Sequence, residues 1–171
     1  MNMKKVMVIG CPGSGKSTFS KALHEMTELP LFHLDMFFWN ADKTTVERSV
    51  FLERLSGILE QNAWIVDGDY ASTMELRMQA CDTVIFLDYP LEVCLNGIAK
   101  RRGKKRSDIP WIETETDEEF LSMVKNYETQ RKPRVIELLE RYRHKNIIVL
   151  KSREQADKFL SDLKQDACSY K

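Results

Sequence analysis

"KVMVIGCPGSGKSTF", residues 5 to 19, decides the architecture. Its first part, "KVMVIG", is a short continuous apolar run, the signature of a strand buried on both faces. Residues 10 to 17 then match the pattern G-x-x-x-x-G-K-[ST], with Gly10, Gly15, Lys16 and Ser17 at the fixed positions. Phe19, Ala22 and Leu23 follow at helical spacing. A glycine-rich loop between a strand and a helix lets the backbone wrap so that N–H groups converge on phosphate oxygens. The helix N-terminus adds its positive dipole end. The loop from Gly10 through Cys11, Pro12, Gly13, Ser14, Gly15, Lys16 and Ser17 to Thr18 therefore reads as a nucleotide-binding cradle. Lys16 reaches the terminal phosphates and Ser17 supplies a hydroxyl to Mg²⁺.

Outward from this loop, strand-like runs alternate with helical patterns. Further strands are predicted in "LPLFHLD", "AWIVDGD", "DTVIFLDYP" and "NIIVL". Thr44 and Glu47 predict a capping box ahead of a helix with Phe51, Leu52, Leu55, Ile58 and Leu59 on one face. Ser152 and Gln155 predict another, before a helix burying Ala156, Phe159, Leu160 and Leu163. The longest insertion, about residues 101 to 132, starts basic and turns acidic in "KRRGKKRSDIPWIETETDEEF". Within it Thr116 and Glu119 predict a cap for a helix bearing Phe120, Leu121, Val124 and Tyr127. Pro133 suits the first turn of one further helix, with Val135, Leu138, Leu139 and Tyr142 on its face. Alternating βα units with buried strands imply a parallel sheet covered by helices on both sides, a three-layer α/β fold in a single domain over residues 1–171.

Composition narrows the function. Lys plus Arg equals Asp plus Glu at 26 each, so the formal net charge is zero. That argues against direct nucleic-acid binding, whose footprint is a basic excess. No stretch is long and apolar enough to span a bilayer. The four cysteines are scattered without a CxxC pair, which indicates neither a zinc site nor a disulfide framework. With no targeting signal visible, the cytoplasm is the default expectation. No sustained heptad repeat marks an oligomer.

Two aspartates end predicted strands. Asp67 in "WIVDGDY" is the better candidate for a Walker-B-type carboxylate near Mg²⁺, and Asp88 in "VIFLDYP" competes with it. Either also serves as a helix cap or turn former. Phosphoryl transfer needs positive charge over the bridging oxygens and exclusion of water. Arg101, Arg102 and Arg106 at the start of the insertion, with Arg131 and Arg134 at its far end, suit a lid that supplies both. Arg101 and Arg131 are the catalytic candidates among them.

In these residues the sequence resembles the small P-loop kinases of the adenylate kinase group. It is more similar still to the "DNA topology modulation protein" (FlaR-type) family. The likeness rests on "GCPGSGKST", "HLDMFFW", "WIVDGDYASTMELR", "DTVIFLDYP", "RRGK" and "RKPRVIELLERY", and it covers nearly the whole chain. It implies a P-loop NTPase fold with strand order 2-3-1-4-5, a helical lid insertion, and ATP as the nucleotide. Two departures stand out. Adenylate kinases follow the Asp-Gly turn with Phe-Pro-Arg, whereas this chain continues as Asp69, Tyr70 and Ala71, leaving Arg77 as the substitute. Where relatives carry a base-stacking arginine before the lid, this chain has Asn96 and Gly97, so that role falls to Arg101 or to a residue elsewhere.

The acceptor side falls in "HLDMFFWN", residues 33 to 40, at the carboxyl edge of the sheet, where ligands bind in open α/β folds. In an extended chain His33 and Asp35 project to one side. Related small-molecule kinases place an aspartate here to orient or deprotonate a hydroxyl, which makes Asp35 the expected general base and Asp69 the alternative. His33 suits a structural hydrogen bond. Phe37, Phe38 and Trp39 read either as core or as an apolar wall. Asp35, Asp69, Tyr70 and Arg77 are the acceptor-binding candidates, with Arg77 mattering most if the acceptor carries a phosphate. The leading expectation is a kinase moving the γ-phosphoryl group of ATP to a small molecule (nucleoside, nucleotide or hydroxyl metabolite). The alternative is a nucleotide-binding regulatory module affecting DNA topology or a protein partner. A GTPase switch ranks below both, since no Asn-Lys-x-Asp segment is present to read guanine.

Overall fold

The alternation of side chains along residues 6 to 9 divides the molecule in two. Val6 and Val8 enter one apolar cluster, Met7 and Ile9 another, as the two-residue period of a strand demands. The computed structural model describes residues 3–115 and 117–169. In chain order the elements are β1 (Lys5–Gly10), α1 (Lys16–Thr27), β2 (Leu31–His33), α2 (Leu34–Phe38), α3 (Arg48–Leu59), β3 (Trp64–Asp67) and α4 (Ala71–Ala80). They continue with β4 (Thr83–Leu87), α5 (Leu91–Arg101), α6 (Glu118–Lys125), α7 (Tyr127–Gln130), α8 (Lys132–Arg141), β5 (Asn146–Leu150) and α9 (Arg153–Ser169).

The strands form one parallel sheet in the order β2-β3-β1-β4-β5, the order the resemblance implies. Central β1 is paired on both sides, Val8 opposite Asp67 of β3 and Ile85 of β4. Phe19 and Leu23 of α1, Cys94 and Ile98 of α5, Val124 of α6 and Leu160 of α9 cover the Val6/Val8 face. Phe51 and Leu55 of α3, Met74 and Met78 of α4, and Val135 and Leu138 of α8 cover the Met7/Ile9 face. This is a three-layer α/β architecture, as the alternating βα pattern requires. Among the described residues no helix is long and apolar enough to cross a membrane.

Local departures from the sequence expectations have physical causes. The chain does not run extended through residues 33 to 40. It turns into α2 at Leu34, which is fully buried, and the Trp39 amide donates to the Asp35 carbonyl at 3.1 Å. The Thr44–Glu47 box does not form either. Asp42 takes the Thr44 amide at 3.0 Å and its hydroxyl at 2.6 Å, holding Thr44 in a local turn, and α3 starts only at Arg48. Thr116 lies outside the described residues. Asp117 caps α6 by accepting from the Glu119 amide at 2.9 Å. The Ser152–Gln155 cap forms as expected, with Ser152 Oγ accepting from the Gln155 amide at 3.2 Å.

Candidate active site

The cradle's shape depends on two glycines from different elements. Gly13 adopts φ +85°, and a Cβ there would fall 2.1 Å from the Cys94 carbonyl. A Cβ on Gly97 would fall 2.0 Å from the Gly13 carbonyl. The loop is thus seated directly on the backbone of α5, an approach that only residues without a side chain permit. This explains the departure seen at position 97, where the backbone contact leaves no room for an arginine. Helix α1 opens on Gly15 at φ 95° with no side-chain cap, so its first amides face the cleft.

A cleft of about 1120 Å³ runs from this loop to the far end of the sheet. Pro12, Gly13, Gly15, Lys16, Ser17 and Thr18 line it; Gly10, Cys11 and Ser14 do not, since they form the loop's buried underside. Lys16 Nζ donates to the carbonyls of Gly10 at 2.8 Å and Cys11 at 3.2 Å. Ser17 Oγ donates to Asp108 Oδ2 at 2.5 Å. Asp108, 4% exposed, comes from the segment between α5 and α6, which folds back over the loop. Burial alone would raise its carboxyl, but the bonds from Arg106 and Ser17 hold it down at about 2.

The strand-end acids take different parts. Asp67 receives the His33 Nδ1 contact on both oxygens at 2.9 Å, the structural bond that suits His33, and it does not line the cleft. Asp88 is held by Lys132 at 2.7 Å and also lies off the cleft. Asp69 lines the cleft and meets Arg131 at 3.3 Å. Asp35 lines it too and accepts from the Tyr70 hydroxyl at 2.5 Å. Burial pushes both Asp35 and Asp69 above the usual carboxylate range. The Tyr70 hydrogen bond and the Lys16 charge pull Asp35 partly back, and the Lys16 and Arg131 charges do so for Asp69.

Arg77 stands apart from the other acceptor-side candidates. Fully buried, it points inward on α4 and donates to the carbonyls of Gly68 at 2.9 Å and Tyr70 at 2.8 Å. It does not itself line the cleft; its guanidinium braces from behind the turn that carries Asp69 and Tyr70. Burial lowers its guanidinium to about 10, which leaves it cationic at neutral pH. Arg101 and Arg131 both line the cleft. Arg101 pairs with Glu113 at 2.8 Å and lies 5.6 Å over the Phe120 ring. Arg134 lies elsewhere, on the surface with Glu137 and Glu75. Of the aromatic trio, Phe38 packs on Phe51 and Tyr70, while Trp39 lines the cleft with its ring edge to Trp111 of the insertion, centroids 5.3 Å apart.

Sequence reasoning missed Asp108, Glu113, Trp111 and Arg153, which take part in the cleft or its supports. For Asp108 there was a signal, a lone carboxylate at the end of the basic run "KRRGKKRSD".

Solved kinase structures share this fold. The shikimate kinase from Acinetobacter baumannii in complex with shikimate matches with a TM-score of 0.63 at 16% identity, covering 99% of this chain and 96% of that one. A shikimate kinase from Bacteroides thetaiotaomicron matches at 0.54 and 20% identity, covering 96% and 98%. The deoxyadenosine kinase from M. mycoides with bound dATP matches at 0.54 and 18%, covering 94% and 98%. At these identities the likeness is one of fold. No family model matches the sequence, and no curated protein matches it; the narrower likeness to topology modulation proteins rests on the sequence motifs alone.

Proposed function

We propose that this protein is an ATP-dependent phosphotransferase whose acceptor is a hydroxyl group of a small molecule. The observation that carries the reading is the Tyr70–Asp35 pair facing the same cleft as Lys16 and Ser17. A carboxylate held beside a phosphate cradle has a use when a hydroxyl must lose its proton, and none when the acceptor is already a phosphate anion. Arg77, the group best suited to grip an acceptor phosphate, is committed to backbone carbonyls.

In this reading the cradle holds the triphosphate, with Lys16 leaving its two carbonyls for the β- and γ-phosphates. The acceptor oxygen attacks the γ-phosphorus, an O–P bond forms as the bond to the β-bridging oxygen breaks, and ADP leaves. Asp35 receives the hydroxyl proton. Arg101 and Arg131 stand over the reacting phosphates, and Trp39 with Tyr70 provides an apolar wall for the acceptor. Magnesium fits the residues present, since the Ser17 hydroxyl is a hard oxygen donor and the Asp108 carboxylate that it bonds adds negative charge beside it. Bound there, it would neutralise charge on the transferring group.

The test is ADP release from ATP–Mg²⁺ against nucleosides, nucleoside monophosphates and small hydroxyl metabolites, with Lys16→Ala as control. Stimulation by a hydroxyl compound, lost in the control, is expected. Stimulation confined to monophosphates would overturn the hydroxyl assignment. ATP binding without stimulation by any compound would move the protein to the regulatory class.

A further inference from the structure

We infer that Asp108, brought over the cradle by the insertion, and not Asp67 at the end of β3, is the carboxylate that orients Ser17 toward magnesium. The inference deepens the kinase reading and rests on it.

A serine hydroxyl has one proton and two lone pairs. Left alone it rotates, and its lone pairs face no fixed direction. When the proton is donated to a held carboxylate, the lone pairs are turned to the opposite side, where a cation can use them. Such a partner fixes a ligand in the way that outer carboxylates fix metal-bound histidines. In this chain Ser17 donates to Asp108 Oδ2 at 2.5 Å, across 91 residues of sequence.

The partner is itself immobilised. Arg106 grips both Asp108 oxygens, through Nε at 3.0 Å and Nη2 at 2.5 Å. Glu113 steadies Arg106 at 3.2 Å and also pairs with Arg101. The side chain of Asp108 is 5% exposed yet lines the cleft beside Ser17. Asp67 has the opposite surroundings. It lies off the cleft, and both its oxygens are engaged by His33. Asp108 is therefore a positioning residue acting through Ser17, and the metal site is complete only while the insertion lies across the cradle.

The experiment compares equilibrium binding of a non-hydrolysable ATP analogue in EDTA and in Mg²⁺; the ratio of affinities is the magnesium increment. Asp108→Asn is expected to lower the increment 10- to 100-fold while leaving binding in EDTA within about two-fold. Asp108→Glu, which keeps the carboxylate, is expected to regain part of it. In Ser17→Ala the increment is already gone, and adding Asp108→Asn should change nothing further, whereas additive losses would overturn the inference. An unchanged increment in Asp108→Asn would also overturn it, as would an equal change of affinity with and without metal. Loss of the increment in Asp67→Asn alone would return the role to the strand. Wild-type protein that binds the analogue in neither condition would overturn the kinase reading as well; an increment that Asp108→Asn leaves intact would sink this inference alone.

Discussion

Tyr70 donates its phenolic hydrogen to Asp35 Oδ1 at 2.5 Å, tying the turn after β3 to the helix after β2. The bond favours the ionised carboxylate, against the burial that raises it. Removing it in Tyr70→Phe should push Asp35 higher still. Because a general base works only when ionised, the acidic limb of the activity profile should move to higher pH, with activity recovered on the alkaline side. Asp35→Asn should lose about 10²- to 10⁴-fold above the acidic limb and should show no such limb itself. A pH–rate profile of the three proteins checks both, and an unmoved acidic limb in Tyr70→Phe would remove Asp35 from the base role.

Gly97 and Gly57 give opposite expectations for one substitution. Both lie in helices, where alanine is intrinsically better by about 1 kcal/mol. A Cβ on Gly57 meets nothing within 4 Å, so Gly57→Ala should raise stability by up to that amount. A Cβ on Gly97 meets the Gly13 carbonyl at 2.0 Å, so Gly97→Ala should destabilise by about 1–3 kcal/mol and weaken nucleotide binding by displacing the loop. Urea titrations and nucleotide affinities read the contrast.

Arg77→Met should cost stability with no specific effect on acceptor affinity. The substitution leaves the Gly68 carbonyl without its donor, at about 1–3 kcal/mol, while the Tyr70 carbonyl loses one bond and keeps that from the Thr73 amide at 3.1 Å. Lysine has no fork to satisfy both, so Arg77→Lys should recover only part. A large rise in acceptor KM with stability untouched would contradict this bracing role.

Asp108 sets a sign for acid stability. Its folded-state carboxyl titrates at about 2, below the ordinary 3.8, so the unfolded chain binds the proton more readily. Its contribution is fully present above about pH 4 and is lost as pH falls through about 2, and it amounts to about 2 kcal/mol. Asp108→Asn should flatten that part of the stability curve, measured by urea unfolding from pH 2 to pH 6.

The strands were legible because their information is local. "KVMVIG", "WIVD", "TVIFL" and "NIIVL" are apolar runs whose burial requires a sheet, and all four appear as strands. The cradle was legible for the same reason, its glycines, Lys16 and Ser17 lying within one short stretch. Caps were less secure. Ser152 donates its proton to Glu154 at 3.2 Å yet keeps a lone pair for the Gln155 amide, whereas Asp42 captured both the amide and the hydroxyl of Thr44.

By itself, then, the sequence determined the alternating α/β layers, the phosphate loop and the acidic residues at the strand ends, since each is written in neighbouring positions. Tertiary structure alone decided which acid meets which partner. Asp67 faces His33, Asp88 faces Lys132, Asp35 faces Tyr70, and Ser17 faces an aspartate from the insertion. Hydrogen bonds and ion pairs act over about 3 Å, and chain order carries no measure of that distance until the sheet has brought its carboxyl ends together.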